Sequence, residues 1–171
     1  MSVHFALFDT ALGPCALAWN TNGIVRVQLP EASVAETRSR MQKRIPGTKE
    51  GQPPPDVECA MHQIVNLLDG QAVDLSPIIL DLDGLPPFHK RVYEAARKIP
   101  PGSTLTYGEV AAQVGSPNAA RAVGQAMGRN PFPIVVPCHR VLAAGGKIGG
   151  FTAPGGTSTK EKMLKIEADI S

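Results

Sequence analysis

The sequence has few cysteines, no long apolar run and no internal repeat, and each lack excludes a class of protein. Its three cysteines, an odd number at irregular spacing, argue against a disulfide framework and are compatible with a free thiol in a reducing compartment. No apolar stretch approaches the ~18 residues that a membrane span needs, and the first residues do not resemble a secretory signal. We therefore expect a cytoplasmic protein, or a nuclear one in a eukaryote, with no membrane partner.

The sequence also lacks the paired ligand spacing of a structural zinc site. Cys59 and His62 lie three residues apart, but Cys15 and His4 do not form a second pair of this kind. We expect no metal and no cofactor.

What is present is the composition of a folded protein with an uneven charge. Of 171 residues, 43% are apolar and 19% charged, which suits one ordinary domain or two small ones. Residues 1–84 contain six Lys/Arg and ten Asp/Glu (net −4), and residues 85–171 contain eleven and five (net +6). A basic half favours a polyanionic partner, although such asymmetry also arises by chance. We place a domain boundary at 84/85, where turn residues coincide with the charge change.

The spacing of apolar residues predicts a mixed fold, α+β in class. Short apolar segments separated by turn residues predict an antiparallel sheet with strands over 3–9, 14–20 and 24–30. Helical spacing, a Pro/Gly-rich loop and a further apolar run predict helices over 31–45 and 57–70, a loop over 47–56 and a strand over 76–84. In the second half we expect helices over 87–100 and 157–170, with a helix-turn-helix pair over 102–131 between them.

The second helix of that pair is made mostly of small residues. Its long side chains are those of Arg121, Gln125 and Arg129, and its small residues include Ala120, Ala122 and Gly124. A glycine inside a helix costs roughly 1 kcal/mol relative to alanine, so a close neighbour has to compensate. That neighbour is either DNA or another helix of the protein, and this segment alone does not decide between them.

The stretch PCHRV contains the chemically notable residues. Cys138 is a nucleophile only as a thiolate, and His139 and Arg140 follow it directly. In an extended strand His139 would point away from the thiol, so a sharp turn or a bridging water has to connect them. A histidine base is usually held by a carboxylate, and the final helix offers three, which are Glu161, Glu167 and Asp169. The alternative is a cysteine that is inert core.

The blocks TYGEVAAQVGSP, AARAVGQAMGRNP, PCHRV, GGKIGGF and KEKMLKIEA occur in order over residues 106–168, within a match that extends over residues 86–168. In these blocks the sequence resembles the O6-alkylguanine-DNA alkyltransferases. The resemblance implies a small N-terminal α/β domain of RNase H-like type over 1–84 and a winged helix-turn-helix domain over 85–171. It also implies irreversible, single-turnover transfer of an alkyl group from guanine O6, or from thymine O4, in double-stranded DNA to the protein.

The resemblance further implies a role for each matching residue. Cys138 would accept the alkyl group, His139 would be the water-bridged base, and Glu167 would orient the histidine. Asn130 would brace the turn, Tyr107 would donate a proton toward guanine N3, and Arg121 would fill the gap left by the flipped nucleotide. The substrate pocket would be lined by Arg140, Val141, Thr152 and Lys160, and the DNA-binding surface by Ala120, Arg121, Ala122, Gly124, Gln125 and Arg129. The protein is expected to act as a monomer.

Two other functions remain open. A cysteine hydrolase would use Cys138, His139 and Glu167 through an acyl-enzyme, would turn over, and would have no use for the helix-turn-helix pair. A lesion-sensing module would bind DNA with Cys138 inert. The alkyltransferase hypothesis accounts for the thiol, the helix pair and the charge asymmetry together.

Overall fold

The computed structural model describes residues 2–146 and 157–170, and its N-terminal part is built on a four-stranded sheet. Strands β1 (His4–Thr10), β2 (Gly13–Asn20) and β3 (Gly23–Gln28) follow one another antiparallel. A two-residue strand, β4 (Lys49–Glu50), pairs parallel with β1, so the order is β3-β2-β1-β4. The three predicted strands are confirmed. Strand β4 lies in the segment predicted as a loop. The prediction missed it because its two residues, both charged and exposed, give no periodic pattern.

Two helices cover the sheet, α1 (Val34–Arg44) on one face and α2 (Pro55–Leu68) on the other. Successive side chains of a strand point to opposite faces. Ala18 therefore lies in a small buried cluster with Met41 of α1, whereas Trp19 joins the main core, to which α2 contributes its apolar stripe. Helix α1 begins at Ser33, whose hydroxyl accepts a hydrogen bond from the backbone of the first turn. Both helices were predicted from the spacing.

The prediction of a strand over 76–84 is wrong. This segment meets β3 only at an isolated bridge between Ile24 and Leu80. The side chains of Asp74 and Asp81 each accept a hydrogen bond from the backbone two residues further on. Such local bonds hold the chain in turns and compete with a regular ladder.

The second half is mainly helical. In chain order its elements are α3 (Pro87–Arg97), β5 (Leu105–Thr106), α4 (Tyr107–Gln113), α5 (Ala120–Gly128), a 3-10 turn (Cys138–Arg140), β6 (Val141–Leu142), a 3-10 turn (Ala144–Gly146) and α6 (Thr157–Ala168). Strands β5 and β6 form a short parallel pair. Helices α4 and α5 are the predicted helix-turn-helix pair, and the α+β fold class is confirmed. Among the described residues no helix is both long and apolar enough to cross a bilayer.

One buried core runs through both halves of the chain. Leu17 from the sheet, Val92 from α3 and Met163 from α6 belong to the same cluster. The backbone of the edge strand β3 is also tied to the second half, since Val27 N donates to Pro131 O at 2.9 Å. The sheet therefore supports the turn that precedes Cys138. The boundary at 84/85 stays a prediction.

Candidate active site

The chain between α5 and Cys138 is a closed turn and not a strand. Asn130 sits at its start and bonds across it: its Nδ2 donates to Val136 O at 2.9 Å, and its Oδ1 accepts from Phe132 N at 2.8 Å. Val136 N also donates to Phe132 O at 2.8 Å. Ile134 has a φ of 77°, which a β-branched residue adopts at a cost of roughly 1–3 kcal/mol, and it is 1% exposed. Burial and the asparagine bonds thus hold a strained turn behind the cysteine.

The 3-10 turn Cys138–Arg140 connects the cysteine to its neighbours. Arg140 N donates to Pro137 O at 2.9 Å, so the chain bends immediately after the proline. The sharp turn considered from the sequence is present, and within it His139 Nδ1 has no hydrogen-bond partner among the described residues. The turn keeps Cys138, His139 and Arg140 all buried, which alternating strand geometry would not do.

The Cys138 thiol is buried among several groups that stabilise its anion. It is 3% exposed, and burial raises the pKa of the thiol. The Asn130 side chain, the Lys160 ammonium and the backbone N–H groups of Cys138 and His139 work in the opposite direction. At neutral pH the group is therefore a thiol that needs a base, and the thiolate is stabilised once it forms.

Glu167 orients that base. The carboxylate lies 2.8 Å from His139 Nε2 and is 4% exposed. Burial opposes its ionisation, but the hydrogen bonds from Arg140 and His139 and the charge of Arg140 lower the pKa of Glu167 to about 2. Of the three carboxylates on α6, Glu161 and Asp169 are exposed, so the structure selects Glu167.

The ionised carboxylate fixes the tautomer of His139. A carboxylate can only accept, so Nε2 carries the hydrogen that bonds Glu167. Burial lowers the pKa of His139 although Glu167 opposes this, which leaves the imidazole neutral. Its Nδ1 is buried and has no hydrogen-bond partner among the described residues. That nitrogen has a free lone pair and can accept a proton.

Arg140 holds Glu167 from a second direction. Its Nε and Nη2 donate to the two carboxylate oxygens at 2.8 and 2.7 Å, and its Nη1 donates to Ile99 O at 2.7 Å. The sequence placed Arg140 in the substrate pocket, but its guanidinium bonds are directed to Glu167 and Ile99. The structure gives it a bracing position.

Two of the remaining predicted pocket residues, Lys160 and Val141, are buried and bonded to each other. Lys160 is 1% exposed, and its Nζ donates to Val141 O at 3.0 Å. Burial lowers the pKa of Lys160, and interaction with Cys138 raises it. Val141 is fully buried in β6. Thr152 falls outside the described residues.

Helix α5 presents the predicted DNA-binding side chains on its outer surface. Arg121, Gln125 and Arg129 recur every four residues and are exposed, whereas Ala120 and Ala122 are half-buried. Gly124 faces the protein: a Cβ atom there would lie 3.3 Å from Cε2 of Tyr107. For this glycine the close neighbour is therefore another part of the protein. Tyr107 itself is half-buried, and burial, followed by the charge of Cys138, raises its pKa.

Sequence reasoning missed Tyr93. It is 1% exposed on α3, and its hydroxyl donates to Ala126 O in α5 at 2.7 Å. The chain has two tyrosines, Tyr93 and Tyr107, and the pKa of each responds to the charge of Cys138. The sequence contained one signal for it: Tyr93 is one of two tyrosines in the chain and lies beside the apolar stripe of its helix.

The chain is similar to known proteins over nearly its whole length. A family described as the DNA binding domain of 6-O-methylguanine DNA methyltransferase matches residues 87–169. A methylated-DNA–protein-cysteine methyltransferase of Mycobacterium tuberculosis is 36% identical over 165 residues, which is 96% of this chain and 92% of that protein. A crystal structure of M. tuberculosis OGT in complex with DNA covers 98% of this chain and 94% of its own, with a TM-score of 0.78 and 34% identity. The O6-methylguanine-DNA methyltransferase of Pyrococcus kodakaraensis is similar with a TM-score of 0.69 and 28% identity, over 96% of this chain and 98% of its own.

Proposed function

Because this chain belongs to the methylated-DNA–protein-cysteine methyltransferase family, we propose that Cys138 is the residue that takes the alkyl group from O6-alkylguanine in DNA. The protein repairs DNA by direct reversal: the bond between the alkyl carbon and guanine O6 breaks, and a bond between that carbon and a cysteine sulfur forms. The observation that carries the assignment is the buried thiol whose neighbouring histidine is oriented by an ionised carboxylate.

His139 is the proton acceptor in this proposal. Its Nδ1 takes the thiol proton through a bridging water, and the resulting imidazolium keeps its Nε2–H on Glu167. The carboxylate, already ionised, balances the new positive charge without moving. The thiolate then attacks the alkyl carbon, and its charge passes to the departing guanine.

Tyr107 supplies a proton on the other side of the reaction. Its raised pKa keeps the phenol protonated at neutral pH, so it remains a donor toward guanine N3 as the base departs. The proton taken up by His139 finally replaces the one that Tyr107 delivers to the base, so both side chains return to their starting states and the net products are guanine and an S-alkyl cysteine. A thioether has no carbonyl for water to attack, so each protein molecule acts once. This separates the reaction from a cysteine hydrolase, whose thioester turns over.

Double-stranded DNA with an alkylated base is the proposed substrate. The guanine O6 substituent is inaccessible inside a duplex, so the nucleotide has to be extruded, at a cost of about a few kcal/mol. Exposed Arg121 on α5 is proposed to fill the space that the nucleotide leaves. Gln125 and Arg129 on the same surface would contact the backbone, which suits a protein that must act at any sequence. We further propose that it acts as a monomer, in the cytoplasm or, in a eukaryote, the nucleus.

Intact-protein mass spectrometry tests the assignment. After incubation with duplex DNA containing O6-methylguanine, we expect every protein molecule to gain the mass of one methylene, on the peptide that contains Cys138. Cys138→Ala should gain nothing, and the control Cys59→Ala, an exposed free thiol, should react as the wild type does. No mass gain, with lesion DNA bound equally by wild type and Cys138→Ala, would indicate the lesion-sensing module instead.

A further inference from the structure

Tyr93 joins helices α3 and α5. It lies on α3, is 1% exposed, and donates its hydroxyl hydrogen to Ala126 O of α5 over 2.7 Å. Burial, followed by the charge of Cys138, raises its pKa to about 12. The phenol is thus protonated throughout the neutral range and always able to donate.

The bond from Tyr93 reaches α5 close to the turn that leads to Cys138. Ala126 lies in the last turn of the helix, and its carbonyl also accepts from Arg129 N at 3.2 Å. Asn130 follows Arg129 directly, and its side chain closes the turn that leads to Cys138. A shift in this end of α5 would therefore move the asparagine and the sulfur relative to the exposed face of the helix.

A second tyrosine holds the same helix from another position. The ring of Tyr107 lies where a Cβ atom on Gly124 would be, at 3.3 Å from Cε2. Tyr107 fixes how closely α5 approaches α4, and the hydroxyl of Tyr93 gives α5 a directional contact that apolar packing does not provide. Directional bonds define a helix's position along its axis better than methyl contacts do.

We propose that Tyr93 is a positioning residue that keeps α5 in register with Cys138, so that the helix bound to DNA delivers the extruded base to the sulfur. The inference rests on the proposed function. Tyr93 affects the rate of alkyl transfer from DNA, and it affects neither the DNA affinity nor the intrinsic reactivity of the thiol.

The test compares two substrates in the variant Tyr93→Phe, which loses one oxygen atom. At saturating lesion duplex we expect the single-turnover rate constant to fall about tenfold, because a buried carbonyl loses a partner. The dissociation constant for lesion duplex and the rate with free O6-methylguanine base, which needs no delivery by α5, should both stay within about twofold of wild type. Incorporation of 4-aminophenylalanine at residue 93 restores a donor and should recover most of the rate.

Thr37→Val is the matched control. Thr37 is also fully buried and donates its hydroxyl hydrogen to a backbone carbonyl, Ser33 O at 2.8 Å, but it lies on α1 away from the site. It should lower stability and leave both rates unchanged. An unchanged rate with duplex in Tyr93→Phe, a parallel fall with duplex and free base, or no recovery with 4-aminophenylalanine would overturn the proposal. Absence of methyl transfer in the wild type would instead refute the proposed function.

Discussion

Replacing Glu167 by glutamine should cost the protein roughly 3 kcal/mol of unfolding free energy at pH 7. The carboxylate accepts bonds from His139 Nε2 and from two nitrogens of Arg140. The difference between its ordinary pKa of 4.5 and a value of about 2 corresponds to roughly 3 kcal/mol, at about 1.4 kcal/mol per pKa unit. Breaking a buried pair costs about 3–5 kcal/mol in general, because one charge is left unpaired.

The stability lost in Glu167→Gln should decrease as the pH falls. The pKa of Glu167 is lower in the folded than in the unfolded protein, so its stabilisation is nearly complete above pH 4.5 and is lost as the pH falls toward 2. The difference between wild type and Glu167→Gln should therefore shrink to roughly 1 kcal/mol at pH 3.

Urea denaturation at pH 7 and pH 3 measures both values, and thermal denaturation at pH 7 should show a midpoint lower by about 6–12 °C. Glu50→Gln is the control: it removes an exposed carboxylate 2.8 Å from Arg38 and should cost less than about 1 kcal/mol. A loss below about 1 kcal/mol for Glu167→Gln, or a loss that stays constant between the two pH values, would refute the reasoning.

Three further outcomes are expected. The single-turnover rate should be nearly constant from pH 8.5 to 6.5 and fall only below, because burial lowers the pKa of His139; a rise of about tenfold per pH unit in that window would indicate an unassisted thiolate. Arg129→Ala should reduce the salt dependence of DNA binding, measured as the slope of log K against log salt, by about 0.9, and an unchanged slope would remove Arg129 from the DNA surface. Gly128→Ala, whose Cβ would have no atom within 4 Å, should stabilise the protein by about 0.5–1 kcal/mol, whereas Gly124→Ala should not, because its Cβ would meet the Tyr107 ring; equal gains in thermal denaturation would contradict this.

The sequence predicted most elements because their signals are local. Apolar runs between turn residues located β1 to β3, and helical spacing located the long helices. The strand expected over 76–84 failed because two aspartate side chains bond the nearby backbone, a competition that composition does not reveal.

The residues of the candidate site could be named from the sequence, but the contacts between them could not. Spacing could not choose among the three carboxylates of α6, since the inward face of a helix depends on its packing. The family resemblance implied a place in the pocket for Arg140, but the 3-10 turn directs its guanidinium to Glu167. Tyr93 required the structure, because its partner is a backbone carbonyl 33 residues away.

The distance along the chain between His139 and Glu167 matters during synthesis. They bond at 2.8 Å but are 28 residues apart, which a ribosome takes roughly 1.4 to 6 s to translate. Until α6 has been made and has docked, the nascent chain contains the cysteine, the histidine and Arg140 without the carboxylate that pairs with both. The histidine beside the nucleophile is therefore oriented only after the residues up to Glu167 have been translated, and a chain interrupted before Glu167 has the complete PCHRV stretch without an oriented base.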